Sequence, residues 1–224
     1  MDLEEKPKGK LRTGFTTGTS ATAASTAAIL SIINQKRIDS VDVLLPKRDK
    51  IKISINTCKF DKSKACCSVI KDGGDDPDVT HGAEIIVDLE LTSKPESIEI
   101  DGGEGVGRVT KPGIGLEIGQ AAINPIPRKM ITENLTLTGK KILEKNGIKV
   151  VISVPKGKEL GPKTDNPRIG IVDGISILGT SGIVIPYSTA SFAAAIRQQI
   201  DVVVSMGDDT VILTTGGRSE DYAR

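Results

Sequence analysis

Residues 13–33 read T-G-F-T-T-G-T-S-A-T-A-A-S-T-A-A-I-L-S-I-I, a Ser/Thr/Gly cluster opening into an alanine-rich apolar run. Short hydroxyl side chains ahead of such a run are a helix N-terminus signal, because they accept hydrogen bonds from the first free amides. The pattern predicts a helix at about 18–35 with small side chains on its face, able to pack closely against its neighbours. Aromatic residues are only 2% of the 224-residue chain and Trp is absent, so Ile, Val, Leu and Ala must fill the core. That length suffices for one large domain or two modest ones.

The same run is the longest apolar stretch. Over residues 21–33 it contains Thr22, Ser25, Thr26 and Ser31 and is too short to span a bilayer. The N-terminus, M-D-L-E-E-K-P-K-G-K, is charged and lacks a secretory apolar segment, so a cytoplasmic protein with no membrane partner is expected. Thirty Lys+Arg against 29 Asp+Glu, with no long basic run and few aromatics to stack on bases, argue against nucleic acid as a partner. Three cysteines, Cys58, Cys66 and Cys67, make no disulfide framework. Adjacent Cys66 and Cys67 would face opposite sides of a strand, so free, largely buried thiols are expected rather than a metal clamp.

Strand patterns follow the first helix. Residues 41–45 and 51–55 run apolar or alternate across a K-R-D-K turn and predict a hairpin. Further strands are expected at 65–70, 85–91, 98–100 and 149–154, with a helix over about 128–146 stopped by Asn146-Gly147. Residues 188–206 keep helical spacing through Phe192, Ile196, Ile200, Val203 and Val204 and predict one long helix. A strand at 210–215 and a new helix after Gly216-Gly217 complete the pattern.

Four segments carry candidate chemistry. K-D-G-G-D-D-P-D-V-T-H-G at 71–82 concentrates Asp72, Asp75, Asp76 and Asp78 with the only histidine, His81. Such crowding repels unless a cation is present, and a cationic ligand or a metal would relieve it. The spacing matches no calcium or zinc pattern, so no metal is assigned, and Asp and Gly also serve plain turns. In D-G-G-E-G-V-G at 101–107, glycines could let backbone approach a ligand, but Pro112 sits where the helix of a dinucleotide-binding fingerprint should run. A glycine-rich turn explains it equally, with Thr110 and Lys111 able to hold a carboxylate. The hydroxyls and amides around Thr17, Gly18 and Thr19 form a natural anion seat at a helix start, and L-G-T-S-G at 178–182 reads similarly. With His81 the sole histidine among acidic neighbours, no hydrolytic triad can be assembled.

These segments, together with L-R-T-G-F-T-T-G-T-S-A-T-A-A at 11–24, G-E-G-V-G-R-V-T-K-P-G-I-G at 103–115, A-I-N-P-I-P-R-K-M-I at 122–131 and G-I-S-I-L-G-T-S-G-I-V at 174–184, resemble the long motifs of the CbiD family in the same order. The resemblance spans essentially the whole chain. It departs at Ser20, where the family usually shows Cys, and near the end, where T-T-G-G-R-S-E-D-Y-A-R lacks an Asn-Tyr-Gly core. The resemblance implies an α+β fold of two-part architecture. Residues 1–205 would form the main domain, and 206–224 only the first strand and helix of an α/β domain. It also implies methyl transfer from S-adenosylmethionine to C-1 of cobalt-precorrin-5B, in anaerobic cobalamin biosynthesis. On that reading Asp75, Asp76, Asp78 and His81 are the catalytic candidates. Gly73, Gly74, Gly103, Gly105, Gly107, Thr17, Gly18 and Thr19 would contact the cofactor. Lys71, Thr110, Lys111 and Arg128 would grip the carboxylates of a small-molecule corrinoid. The alternative is a non-catalytic corrinoid- or metal-binding module or partner subunit derived from this family.

Overall fold

The small-residue run forms a helix that is buried along almost its whole length. The computed structural model describes residues 9–215 and 217–223. Chain order is β1 (Gly14–Phe15), α1 (Thr17–Asn34), β2 (Ser40–Leu44), β3 (Lys50–Ser54), β4 (Thr57–Phe60), β5 (Lys64–Ile70), β6 (Glu84–Thr92), β7 (Ile98–Gly102), β8 (Arg108–Val109), α2 (Pro125–Leu143), β9 (Gly147–Ser153), α3 (Gly157–Leu160), β10 (Ile171–Val172), β11 (Ile183–Val184), α4 (Thr189–Ser205) and α5 (Arg218–Ala223). The charged lead-in expected over 1–10 lies outside the described residues as far as position 8, as does Gly216 of the expected glycine turn.

Burying α1 requires its hydroxyls to find partners within the chain. Thr22, Ser25 and Thr26 each donate to the carbonyl four residues back, and Ser31 donates to Ala28, all at 2.8 Å. Thr16 caps the start by accepting from the Thr19 amide at 3.2 Å. With its polar groups closed on themselves, the helix packs on α2 and on one face of a five-stranded sheet, order β4-β5-β6-β9-β7. Neighbouring strands are antiparallel except β7 and β9, which run parallel. Close approach needs the glycine at position 139 of α2: a Cβ there would stand 3.1 Å from Ile29 of α1.

Alternation sorts the two faces of the sheet. Cys67, Val69, Ile85, Val87, Leu89, Ile148, Val150 and Ile152 point into the core. Each fully buried aliphatic of this size contributes about 1.5–3 kcal/mol. On the outer face a row of alternating charge crosses four strands, Lys64 opposite Glu90, Glu90 opposite Lys149, and Lys149 opposite Glu99. Opposite charges directly across a ladder are favourable, so this face is stable in water.

The fold is α+β, as expected, and the hairpin forms as β2 and β3. Helix α2 begins earlier than about 128, because Pro125 occupies its first turn, where a missing amide costs nothing. The strand β4 was not foreseen. It lies beside β5 and pairs Cys58 with Cys67 and Lys59 with Cys66. All three thiols are free and Cys66 faces away from Cys67, as expected, but only Cys67 is buried, Cys58 and Cys66 being half-buried. The long helix forms as α4, capped by Ser188. Only Val202 of it is buried, while Phe192 is 70% exposed. The strand expected at 210–215 does not form: these residues are exposed and have no ladder partner, and an unpaired strand has no hydrogen bonds to hold it. No helix among the described residues is long and apolar enough to cross a membrane.

Candidate active site

The acidic loop is strapped down by the segment just before α1. Arg12 donates to both oxygens of Asp72, at 2.5 and 2.9 Å, and its backbone amide donates to Asp75 at 2.6 Å. The Phe15 amide donates to the Asp72 carbonyl, and the Gly74 amide to the Asp72 carboxylate. Gly14 and Gly74 cross so closely that a Cβ on either would run into the other segment's backbone. The His81 ring accepts from the Gly73 amide at 3.0 Å through Nδ1, which places its proton on Nε2. Asp76 accepts from the Tyr187 amide at 2.8 Å.

Asp78 makes the deepest contact. It accepts from the Lys71 ammonium at 2.5 Å and from the Thr80 amide and hydroxyl at 2.7 and 2.6 Å. The cation that the crowded aspartates require is thus supplied from within the chain, by Arg12 and Lys71. Hydrogen bonding to Arg12 holds the Asp72 carboxyl down at about 2. Burial pushes the Asp78 carboxyl up, but Lys71 and Thr80 outweigh it and hold it below the usual carboxylate value.

Beside this ion pair opens a cavity of about 250 Å³. Its wall is drawn from six places: the start of α1 (Thr16, Thr17), the acidic loop (Lys71, Asp78, Thr80), Asn124 ahead of α2, the segment 164–178, Val184 of β11, and α4 (Ala195, Gln198). Isolated bridges pairing Val106 with Ile175 and Ile123 with Ile177 bring the last loop segment into register. Ile169, Ile171 and Ile175 supply apolar wall, and Asn124, Asp165, Asn166 and Ser176 supply polar groups.

Of the expected site residues, Thr17, Lys71 and Asp78 line this cavity; the others do not. Gly18 and Thr19 stand at the helix start, but the anion seat expected there is filled by protein carbonyls. The Gly18 amide donates to Leu178 at 3.0 Å, and the Thr19 hydroxyl to Gly182 at 2.7 Å. Gly103, Gly105 and Gly107 sit where backbones cross. The Gly103 amide donates to Ile152, the Gly107 amide to Ile175, and Gly105 lies against Val154, Gly157 and Gly174. Thr110 donates its hydroxyl to the Gly170 carbonyl at 2.7 Å, and the Lys111 stem lies against Gly170. Arg128 donates to the Ile123 and Ile100 carbonyls at 3.0 and 2.7 Å, tying α2 to β7, and burial lowers its guanidinium pKa. No group of three or more His, Cys, Asp or Glu among the described residues could hold a metal.

Sequence reasoning missed Thr80, Asn124, Asp165, Asn166 and Gln198 as wall residues. Thr80 and Asn124 did stand in segments carrying the resemblance, whereas Asp165, Asn166 and Gln198 lie outside them.

Together these features define an α+β protein with a small, polar-walled cavity between its first helix, its acidic loop and its last long helix. The CbiD family model matches residues 4–186, and the chain belongs to that family. It is 49% identical over 216 residues to a cobalt-precorrin-5B C(1)-methyltransferase of Geobacillus kaustophilus, covering 96% of this chain and 58% of that protein. To the protein of the same name from Picrophilus torridus it is 48% identical over 213 residues, covering 95% and 62%. The crystal structure of a cobalamin biosynthesis protein (cbiD) from Archaeoglobus fulgidus matches with a TM-score of 0.61 and 31% identity, over 97% of this chain and 67% of that one. The chain therefore spans about three fifths of the length of these curated relatives.

Proposed function

We propose that the chain performs the methyl transfer for which its relatives are named, from S-adenosylmethionine to C-1 of cobalt-precorrin-5B, giving cobalt-precorrin-6A in cobalamin biosynthesis. The observation that carries this reading is 49% identity over 96% of the chain to a protein of that name. The cavity fits the donor in character: it has open polar groups, apolar wall, and two carboxylates and one ammonium on that wall. Bound there, S-adenosylmethionine would supply an electrophilic methyl group on its sulfonium. What the chain must then provide is position and exclusion of water, which together can supply about 7–11 kcal/mol of a barrier.

Roles follow from position. The Lys71–Asp78 pair and Thr17 meet the donor in the cavity. Lys111, whose stem lies against Gly170, and the exposed rim meet the carboxylates of the corrinoid. The glycines at 103, 105 and 107, with Arg128, hold the segments that carry the wall. Residues 206–224 are proposed to begin a second, α/β part, and the setting is proposed to be the cytoplasm.

The test is direct. The purified chain is incubated with cobalt-precorrin-5B and S-adenosylmethionine, and the corrinoid is followed by mass. A gain of one methyl group with release of S-adenosylhomocysteine is expected. Tight corrinoid binding without turnover would make the chain a non-catalytic module of the family instead.

A further inference from the structure

The polar groups on the cavity wall divide into those already satisfied and those left open. Thr17 donates to the Ser176 carbonyl and accepts from the Leu178 amide. Asn166 donates to the Gly174 carbonyl and accepts from the Ser176 hydroxyl. Thr164 donates to Gly161, and Asp78 is filled by Lys71 and Thr80. Four side chains remain. Asn124, Asp165 and Gln198 line the wall, and no side-chain hydrogen bond of theirs is found among the described residues. The fourth is Lys71, whose side chain is 1% exposed and whose one acceptor among the described residues is Asp78.

An ammonium has three donors, so two N–H groups of a deeply buried lysine have no protein acceptor. Leaving buried donors unfilled is costly, which makes the cavity a place for an acceptor, above all an anionic one. The wall also carries more negative than positive charge: Asp78 and Asp165 against Lys71. Asp78 is taken by its own lysine, so Asp165, which is exposed and unengaged, is the carboxylate open to a cation. A simple carboxylate ligand would answer Lys71 and leave Asp165 idle, and a simple cation would do the reverse. A zwitterion answers both.

Size narrows the choice. At about 250 Å³ the cavity lies below the range usual for whole drug-sized ligands, about 300–1,000 Å³. It can take one end of a nucleoside cofactor, but no macrocycle. Resting on the methyl-transfer reading above, we propose that the cavity seats the α-amino-acid end of the methyl donor, its carboxylate against Lys71 and its ammonium against Asp165. The adenosine portion and the reacting methyl then lie at the cavity mouth, where a macrocycle too large to enter can reach them.

Calorimetry on the full chain tests this with two probes, S-adenosylhomocysteine and 5′-methylthioadenosine, which lacks the amino-acid end. The wild-type chain is expected to bind the first at least about tenfold more tightly than the second. Asp165→Asn, at an exposed position outside the core, is expected to weaken S-adenosylhomocysteine about tenfold and leave 5′-methylthioadenosine unchanged. Lys71→Met should do the same or more. Its unchanged binding of 5′-methylthioadenosine then shows that it is folded, and Asp165→Asn carries the test alone if it is not. Equal binding of the two probes by the wild type overturns the proposal, as does an Asp165→Asn effect that is absent or the same for both. Cobyrinic acid, a corrinoid with free side-chain carboxylates, is the third probe. Loss of its binding in Lys71→Met with S-adenosylhomocysteine unaffected would give the cavity to a ring carboxylate and also overturn the proposal. Failure of the wild type to bind either nucleoside removes the methyl-transfer reading itself, a result distinct from tight binding that ignores Asp165.

Discussion

Replacing Lys71 with Met separates the stability of the buried ion pair from its proposed role in binding. Methionine keeps the length and apolar stem of a side chain that is 1% exposed, but removes the charge facing Asp78 at 2.5 Å. Stranding one member of a buried pair costs about 3–5 kcal/mol. Two features reduce that here: the Asp78 side chain keeps 22% exposure, and Thr80 still donates twice to the same carboxylate. A loss of about 2–3 kcal/mol is expected, or about 4–12 °C in melting temperature for a chain of this size. The effect has a definite pH dependence. In the wild type Asp78 is held below the usual carboxylate value, so its contribution is present above that value and lost as pH falls through its lowered folded pKa. Without Lys71, burial dominates and the carboxyl shifts upward, so the variant recovers by protonation as pH falls. Melting curves of both proteins between pH 8 and about 4 should converge toward the acid end. Adding Asp78→Asn to the variant should restore most of the lost stability at pH 7. A gap that is constant with pH, or a double variant no more stable than Lys71→Met, would refute the reasoning.

Three further outcomes are expected. Asn134→Ala should cost about 2–3 kcal/mol in denaturant unfolding. The buried amide of Asn134 accepts from the Leu44 amide at 2.9 Å and donates to the Leu44 carbonyl at 3.0 Å, and both groups of β2 lose their partner. Replacing Cys58, Cys66 and Cys67 together should leave methyl transfer within a few-fold. In the wild type, alkylation of Cys66 and Cys67 near pH 8 should be slow, because burial pushes the Cys66 thiol up to about 11 and that of Cys67 higher still. Acid titration by NMR should show the Asp72 carboxylate staying ionised until about pH 2 in the wild type, and titrating nearer its ordinary value of 3.8 in Arg12→Ala. Stability that Asp72 contributes is full above that ordinary value and is lost as pH falls toward 2.

Much of the framework was legible in the sequence because local chemistry determines it. A run of hydroxyls opening into alanines can cap and back-bond itself, so α1 was placed to within a residue of its observed ends. Period-two alternation located β5, β6 and β9, and the helical spacing of Phe192, Ile196 and Ile200 located α4. Where a neighbour was required, local signals failed. The 210–215 segment has strand-like residues and no partner, while β4, only four residues long, forms by pairing along the edge of β5.

The candidate site divides in the same way. The sequence by itself determined that residues 71–82 crowd charge and that glycines cluster at 101–107, because composition and spacing are local. Only the tertiary structure decided what those features do. Arg12 lies 60 residues from Asp72, and Leu178 lies 160 residues from Gly18, yet these contacts strap down the acidic loop and fill the expected anion seat. The glycines at 103, 105 and 107 read as ligand-facing, but folding set other backbones against them. Asp165 and Gln198 carry no sequence signal at all and reach the cavity wall because the loop at 164–178 and α4 converge on it. The physical reason is that propensity and capping act within a few residues. A buried lysine's unfilled donors are a property of everything that surrounds it, and that is fixed only when distant segments pack.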